Sequence, residues 1–193
     1  MASILRLFIA VELPEEVLRY IGRTVEELRR HGIPGIRWVR GEGVHLTLKF
    51  LGDASEEQVP GILSAMRDAA DGTSPFVLQV QGAGAFPSLR NPRVLWLGVE
   101  GDMGPLLLIY ERLEKALEAQ GFARETRAFS AHLTLGRVNG RLSPTPLEKL
   151  ADAMEGLRTT PPLALPVAAL SLMESQLTPS GAIYRRQGQI PLG

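Results

Sequence analysis

The sequence predicts mixed strands and helices arranged as two similar lobes facing each other across a cleft, and three observations predict it. The tetrapeptide His-Leu-Thr-Leu occurs twice, at 45–48 and 132–135. Each copy lies in a run that reads strand, helix, motif strand, helix, strand. The two motif histidines stand 87 residues apart in a chain of 193, close to half its length. That spacing is the mark of an old duplication. No linker separates the halves, so residues 1–193 read as one bilobal domain.

The elements follow in order. Residues 3–11 alternate as a strand, and Pro14-Glu15-Glu16 opens a helix with Val17, Leu18, Ile21, Val25 and Leu28 at three- and four-residue steps up to Gly32. His31, in RRHGIPG, reads as a helix C-terminal or solvated histidine. Short strands are expected at 36–39 and 44–50. Ser55-Glu56-Glu57-Gln58 is a capping-box pattern before a helix that turns Val59, Ile62, Leu63 and Met66 inward. Strands follow at 76–80 and 94–99, with Gly82-Ala83-Gly84 read as a strand-end turn. A helix over about 105–120 carries Leu106, Ile109, Tyr110, Leu113 and Leu117 on one stripe and ends at Gly121. The second motif strand is expected from Phe129 to Leu135. A short helix over 146–154 then precedes strands at 163–173 and 183–190.

Composition narrows the function. A core of useful size fits in 193 residues without staples, and no run of about 18 apolar residues exists to span a membrane. The N-terminal ILRLFIAVEL is broken by Arg6 and Glu12 and runs into Pro14 without a small-residue cleavage site, so no secretory signal is expected and the cytoplasm is the default. With no cysteine there is no disulfide, thiolate metal site or cysteine nucleophile. Twenty-one basic residues balance 21 acidic ones, which argues against a broad surface coating nucleic acid. Any polynucleotide would be gripped locally, near one end. Lysine occurs only at 49, 115 and 149; the arginine excess reads as compositional bias, apart from Arg127 and Arg137 beside the second motif.

In a strand of period two, histidine and threonine of each motif share one face, roughly 6.5–7 Å apart, while the leucines face the core. One His-x-Thr means little; two identical copies that use two of three histidines mean much more. Cleaving a phosphodiester needs a base on the incoming water and an acid on the departing oxygen, on opposite sides of phosphorus. Two facing imidazoles, titrating near 6.5 when unperturbed, supply both near neutral pH. Thr47 and Thr134 can donate to the non-bridging oxygens. A metal site is disfavoured because no His-x-His or His-x-x-x-His pair exists and neither His-Thr face carries an acid. No Gly-x-Ser-x-Gly is present, and Gly82-Ala83-Gly84 lacks the third glycine of a dinucleotide fingerprint.

At these residues the chain resembles the 2H phosphoesterase superfamily, and within it the RNA 2',3'-cyclic phosphodiesterases, also called 2'-5' RNA ligases. VHLTLKFLG, HLTLGR, the opening RLFIAVELPEEV, the central FPSLRNPRVLWLGV and the closing ESQLTPSGAIYR all carry the likeness, which covers nearly the whole chain. One departure is Ala131, where the family commonly has proline. The resemblance implies an α+β fold of two pseudo-symmetric lobes, each an antiparallel sheet with helices on the outside, around a central cleft. It implies hydrolysis of RNA or oligonucleotide 2',3'-cyclic ends to 2'-phosphomonoesters, with His45 the proton donor to the leaving 3' oxygen and His132 the proton acceptor from water. Thr47 and Thr134 match the phosphate-binding hydroxyls, and Arg137 a basic residue near the phosphate. Lys49 joins them if its strand stays regular. No metal or other cofactor and no obligate protein partner is implied, and a monomer is expected. Reversible 2'-5' joining in the same cleft, a non-catalytic RNA- or nucleotide-binding module, and small cyclic nucleotides as substrates are the alternatives.

Overall fold

The computed structural model describes residues 3–178 and 181–193; Pro179 and Ser180, within the closing ESQLTPSGAIYR stretch, lie outside them. The chain runs β1 (Ile4–Glu12), α1 (Glu15–Arg30), β2 (Ile36–Trp38), β3 (His45–Ser55), α2 (Val59–Ala70), β4 (Phe76–Phe86), β5 (Val94–Gly101), α3 (Gly104–Glu118), β6 (His132–Val138), α4 (Pro144–Arg158), β7 (Leu163–Val167), β8 (Ala169–Thr178) and β9 (Gly181–Pro191). Two antiparallel sheets result, with strand orders β3-β1-β8-β9 and β2-β6-β5-β4-β7. This is the expected α+β architecture of two lobes.

Each helix buries the stripe its sequence predicts. Val17, Ile21, Val25 and Leu28 of α1 are buried, as are Leu106, Ile109, Leu113 and Leu117 of α3. The capping box at Ser55 and Gln58 is present, with the Ser55 N–H donating to Gln58 Oε1 at 2.9 Å; it first closes a 3-10 turn over 56–58, from which α2 continues. His31 caps α1 and is exposed.

The lobes are not the two halves of the sequence. The helix α1 leaves the first sheet and packs against β7 of the second, whereas α3 leaves the second and packs against β3 of the first. The first sheet takes β8 and β9 from the C-terminal end, and the second takes β2 and β4 from the N-terminal half. Buried side chains of both lobes merge into one continuous cluster. Duplicated units that exchange elements in this way cannot separate without exposing apolar surface on both.

Several boundaries differ from expectation. The second motif strand starts at His132, not Phe129. The predicted strand over 163–173 breaks at Ala168, between β7 of one sheet and β8 of the other. Gly82-Ala83-Gly84 is no strand-end turn: it lies inside β4, where Gly82 adopts φ +75° and the pairing with β5 skips between Val80 and Ala83. A glycine at positive φ within a ladder marks a bulge as readily as an end.

Candidate active site

The motif strands β3 and β6 sit against each other where the two sheets meet. In both, the leucines point inward: Leu46 and Leu48 are buried, as are Leu133 and Leu135. The histidines and threonines are half-buried on the opposite face. Alternation thus turns His45 and Thr47 from one lobe, and His132 and Thr134 from the other, away from the cores.

Both imidazoles interact with the backbone two residues earlier. His132 Nδ1 lies 2.7 Å from the carbonyl oxygen of Ser130, two residues earlier. A carbonyl can only accept, so Nδ1 carries the hydrogen and Nε2 is the nitrogen presented to a reactant. The His45 ring bonds the backbone of Gly43, also two residues earlier. Aromatic edges fix both rings further. His45 lies T-shaped to Phe8 at 5.6 Å and to Tyr184 at 5.0 Å, and His132 lies T-shaped to Phe86 at 4.9 Å.

Burial beside these rings pushes the His45 pKa below the ordinary imidazole value, while the Glu12 carboxylate, directly across the ladder, and the Gly43 hydrogen bond oppose the shift. Glu12 is itself anchored: its Oε1 accepts from Ser171 Oγ at 2.5 Å and from the Arg186 guanidinium at 3.1 Å.

Both motif strands carry a bulge one residue after the threonine. In β3, Thr47 pairs with Ala10 and Lys49 with the adjacent Ile9, so Leu48 is the extra residue. In β6, Thr134 pairs with Trp96 and Gly136 with Leu95, so Leu135 is extra. Two consecutive positions therefore face inward, and the residue after them, Phe50 in β3 and Arg137 in β6, returns to the His-Thr face. This corrects the expectation for Lys49, which rested on a regular strand. Lys49 turns into the protein, where Nζ lies 2.7 Å from Glu114 Oε1 and 2.9 Å from the Ala123 carbonyl. The same device brings Arg137 onto the His-Thr face, exposed. Arg37 of β2 pairs directly with Arg137 and shares that face, also exposed. Arg127 remains at the surface, 3.6 Å from Glu125. Ala131, in place of proline, still ties in the approach to β6, because its carbonyl accepts from Val99 N–H at 3.3 Å.

Reading the sequence missed Glu12, Arg37, Phe8, Phe86 and Tyr184. Glu12 and Phe8 share a period-two face of β1, which is a usable signal. Arg37 and Tyr184 emerge only from strand pairing. Among the described residues no group of three or more metal-ligating side chains converges.

Comparison with known proteins decides the family. The model of LigT-like phosphoesterases matches the chain twice, over residues 11–96 and 98–184, and the matches begin 87 residues apart, the spacing of the two histidines. The chain belongs to the LigT-like phosphoesterases. This LigT-like chain, of the 2H superfamily, is 36% identical over 181 residues to the RNA 2',3'-cyclic phosphodiesterase of Thermotoga maritima, covering 94% of this chain and 92% of that one. It is 35% identical over 183 residues to the protein of the same name from Methanothermobacter thermautotrophicus, covering 93% and 94%. Among solved structures, Escherichia coli LigT in complex with 3'-AMP superposes with a TM-score of 0.75 at 25% identity, covering 98% of this chain and 99% of that one. The two matches account for the duplicated motif, one copy lying in each.

Proposed function

We propose that this chain hydrolyses 2',3'-cyclic phosphodiester ends of RNA to 2'-phosphomonoesters by acid–base catalysis between His45 and His132. The observation that carries the reading is the repeated His-Thr pair, with the His132 ring tethered to the Ser130 carbonyl and the His45 ring beside the backbone of Gly43, on strands that meet between the lobes. His132, with its hydrogen on Nδ1, accepts a proton from water at Nε2. The water oxygen bonds phosphorus opposite the 3' oxygen, the P–O3' bond breaks, and His45 protonates that oxygen. The 2' ester survives, giving the 2'-phosphomonoester.

Thr47 and Thr134 donate to the non-bridging oxygens as charge gathers there. Arg137 and Arg37 are like charges directly opposite in a ladder, an arrangement that costs free energy until an anion lies between them. Over the buried Phe8, the exposed rings of Tyr184 and Phe50, the last 72% exposed, stand beside His45 and its neighbouring strand. Such a surface suits a nucleobase, and stacking does not depend on which base it is. The relatives named as RNA 2',3'-cyclic phosphodiesterases support the substrate class, as does the nucleotide bound by Escherichia coli LigT.

The test is incubation of EDTA-treated protein with an oligonucleotide bearing a 2',3'-cyclic end, followed by phosphorus NMR of the product. The expected product is the 2'-phosphomonoester alone. A 3'-phosphomonoester, or turnover that requires an added divalent ion, would contradict the mechanism.

A further inference from the structure

Lys49 and Glu114 form an ion pair between side chains only 3% and 4% exposed. Removing two charges from water is costly, and such a pair seldom adds net stability over apolar residues of the same size. Its fixed geometry is what an apolar pair could not reproduce. The matching position of the other lobe carries no charge. Eighty-seven residues on from Lys49 stands Gly136, where an added Cβ would lie 3.0 Å from the Trp38 ring. Trp38 and Ile36 approach that position instead.

The contacts of the pair lead to both histidines. Lys49 is four residues from His45 on the same strand. Its ammonium holds the Ala123 carbonyl at 2.9 Å, and Glu114 Oε2 accepts the Glu125 N–H at 3.0 Å. Residues 122–131, which enter β6, are thereby fastened to β3 and α3 together. Glu125 Oε1 folds the next turn by accepting the Thr126 and Arg127 N–H groups at 3.0 and 3.1 Å. Tyr110 of α3 then stacks on Phe129 at 4.4 Å. The adjacent Ser130 supplies the carbonyl that orients His132.

We propose that Lys49 and Glu114 are positioning residues: their buried ion pair ties the strand bearing His45 to the segment that sets the tautomer and direction of His132. Neither side chain touches substrate. The proposal rests on the acid–base reading for its rate consequence, but its structural consequence at His132 stands apart from any activity.

The test is K49M/E114Q, which removes both charges together and leaves an acceptor for the Glu125 N–H. Nitrogen NMR of the histidine rings is expected to show His132 losing its single Nδ1–H tautomer. On a cyclic-ended oligonucleotide kcat should fall on the order of 10- to 100-fold with KM nearly unchanged. A folded variant with wild-type kcat and a wild-type His132 tautomer would overturn the proposal. If K49M/E114Q fails to fold, the apolar K49M/E114L is scored in the same way. Should the wild-type protein open no cyclic phosphate, the proposed function falls, and the His132 ring signals alone still decide the positioning role.

Discussion

At the scale of single residues, the two histidines are alike in sequence and unlike in surroundings. His45 is pressed against Phe8 and Tyr184, and burial lowers its pKa although Glu12 lies across the ladder. Burial of this kind favours neutral imidazole, whereas a proton donor must start charged; on the proposed mechanism the phosphate anion of the substrate would supply the opposing pull. For His45 as donor, kcat/KM, which reports the free protein, should begin to fall with rising pH below about 6.5, while kcat holds to higher pH. Parallel profiles of kcat and kcat/KM would contradict this. The sign for stability follows from the same shift. A histidine whose folded pKa is depressed costs nothing above its unfolded value of about 6.5, and stability is lost as pH falls from there through the folded value. Thermal melts should therefore show an acid-side loss that shrinks in His45→Gln. Thr47→Val and Thr134→Val, which keep shape and remove a donor, should each lower kcat by roughly 10- to 1000-fold if the hydroxyls act on the transition state.

At the scale of strands, the bulges decide which charged residues share the face of the motif histidines. Strand alternation made His45, Thr47, His132 and Thr134 legible from sequence, because period two holds over those residues. It failed one residue later. Leu48 and Leu135 each take an extra place in the ladder, so Lys49 goes inward and Arg137 outward; nothing in HLTLKF or HLTLGR signals the slip. The helices were legible through their apolar stripes and capping box, whereas the exchange of α1 and α3 between lobes depends on packing that no local pattern encodes. Arg137→Ala is expected to raise KM more than it lowers kcat if its role is to hold the phosphate in both ground and transition states. On β4, Gly84 leaves room for Trp96 across the ladder, whose ring meets Phe86 at 5.2 Å. A Cβ there would lie 2.5 Å from the indole. Gly84→Ala should cost about 1–3 kcal/mol in urea unfolding and displace the Phe86 edge that contacts His132.

At the scale of the whole molecule, the two lobes share one apolar cluster and exchange α1 and α3, so they should melt together. Lys49→Met alone leaves the Glu114 carboxylate buried without its cation and is expected to cost about 3–5 kcal/mol, read as one cooperative transition at lower temperature. Two separate transitions would contradict the continuous core. On the proposed mechanism the site belongs to this joint structure, because each lobe contributes one histidine and one threonine and neither would hold an acid–base pair alone. The most direct measurement is single-turnover cleavage of a cyclic-ended oligonucleotide by His45→Ala, His132→Ala and the double variant. If the two rings act on one phosphorus as a unit, each single variant should lose nearly as much rate as the double. Wild-type turnover in either single variant, or losses that simply multiply in the double, would contradict the account.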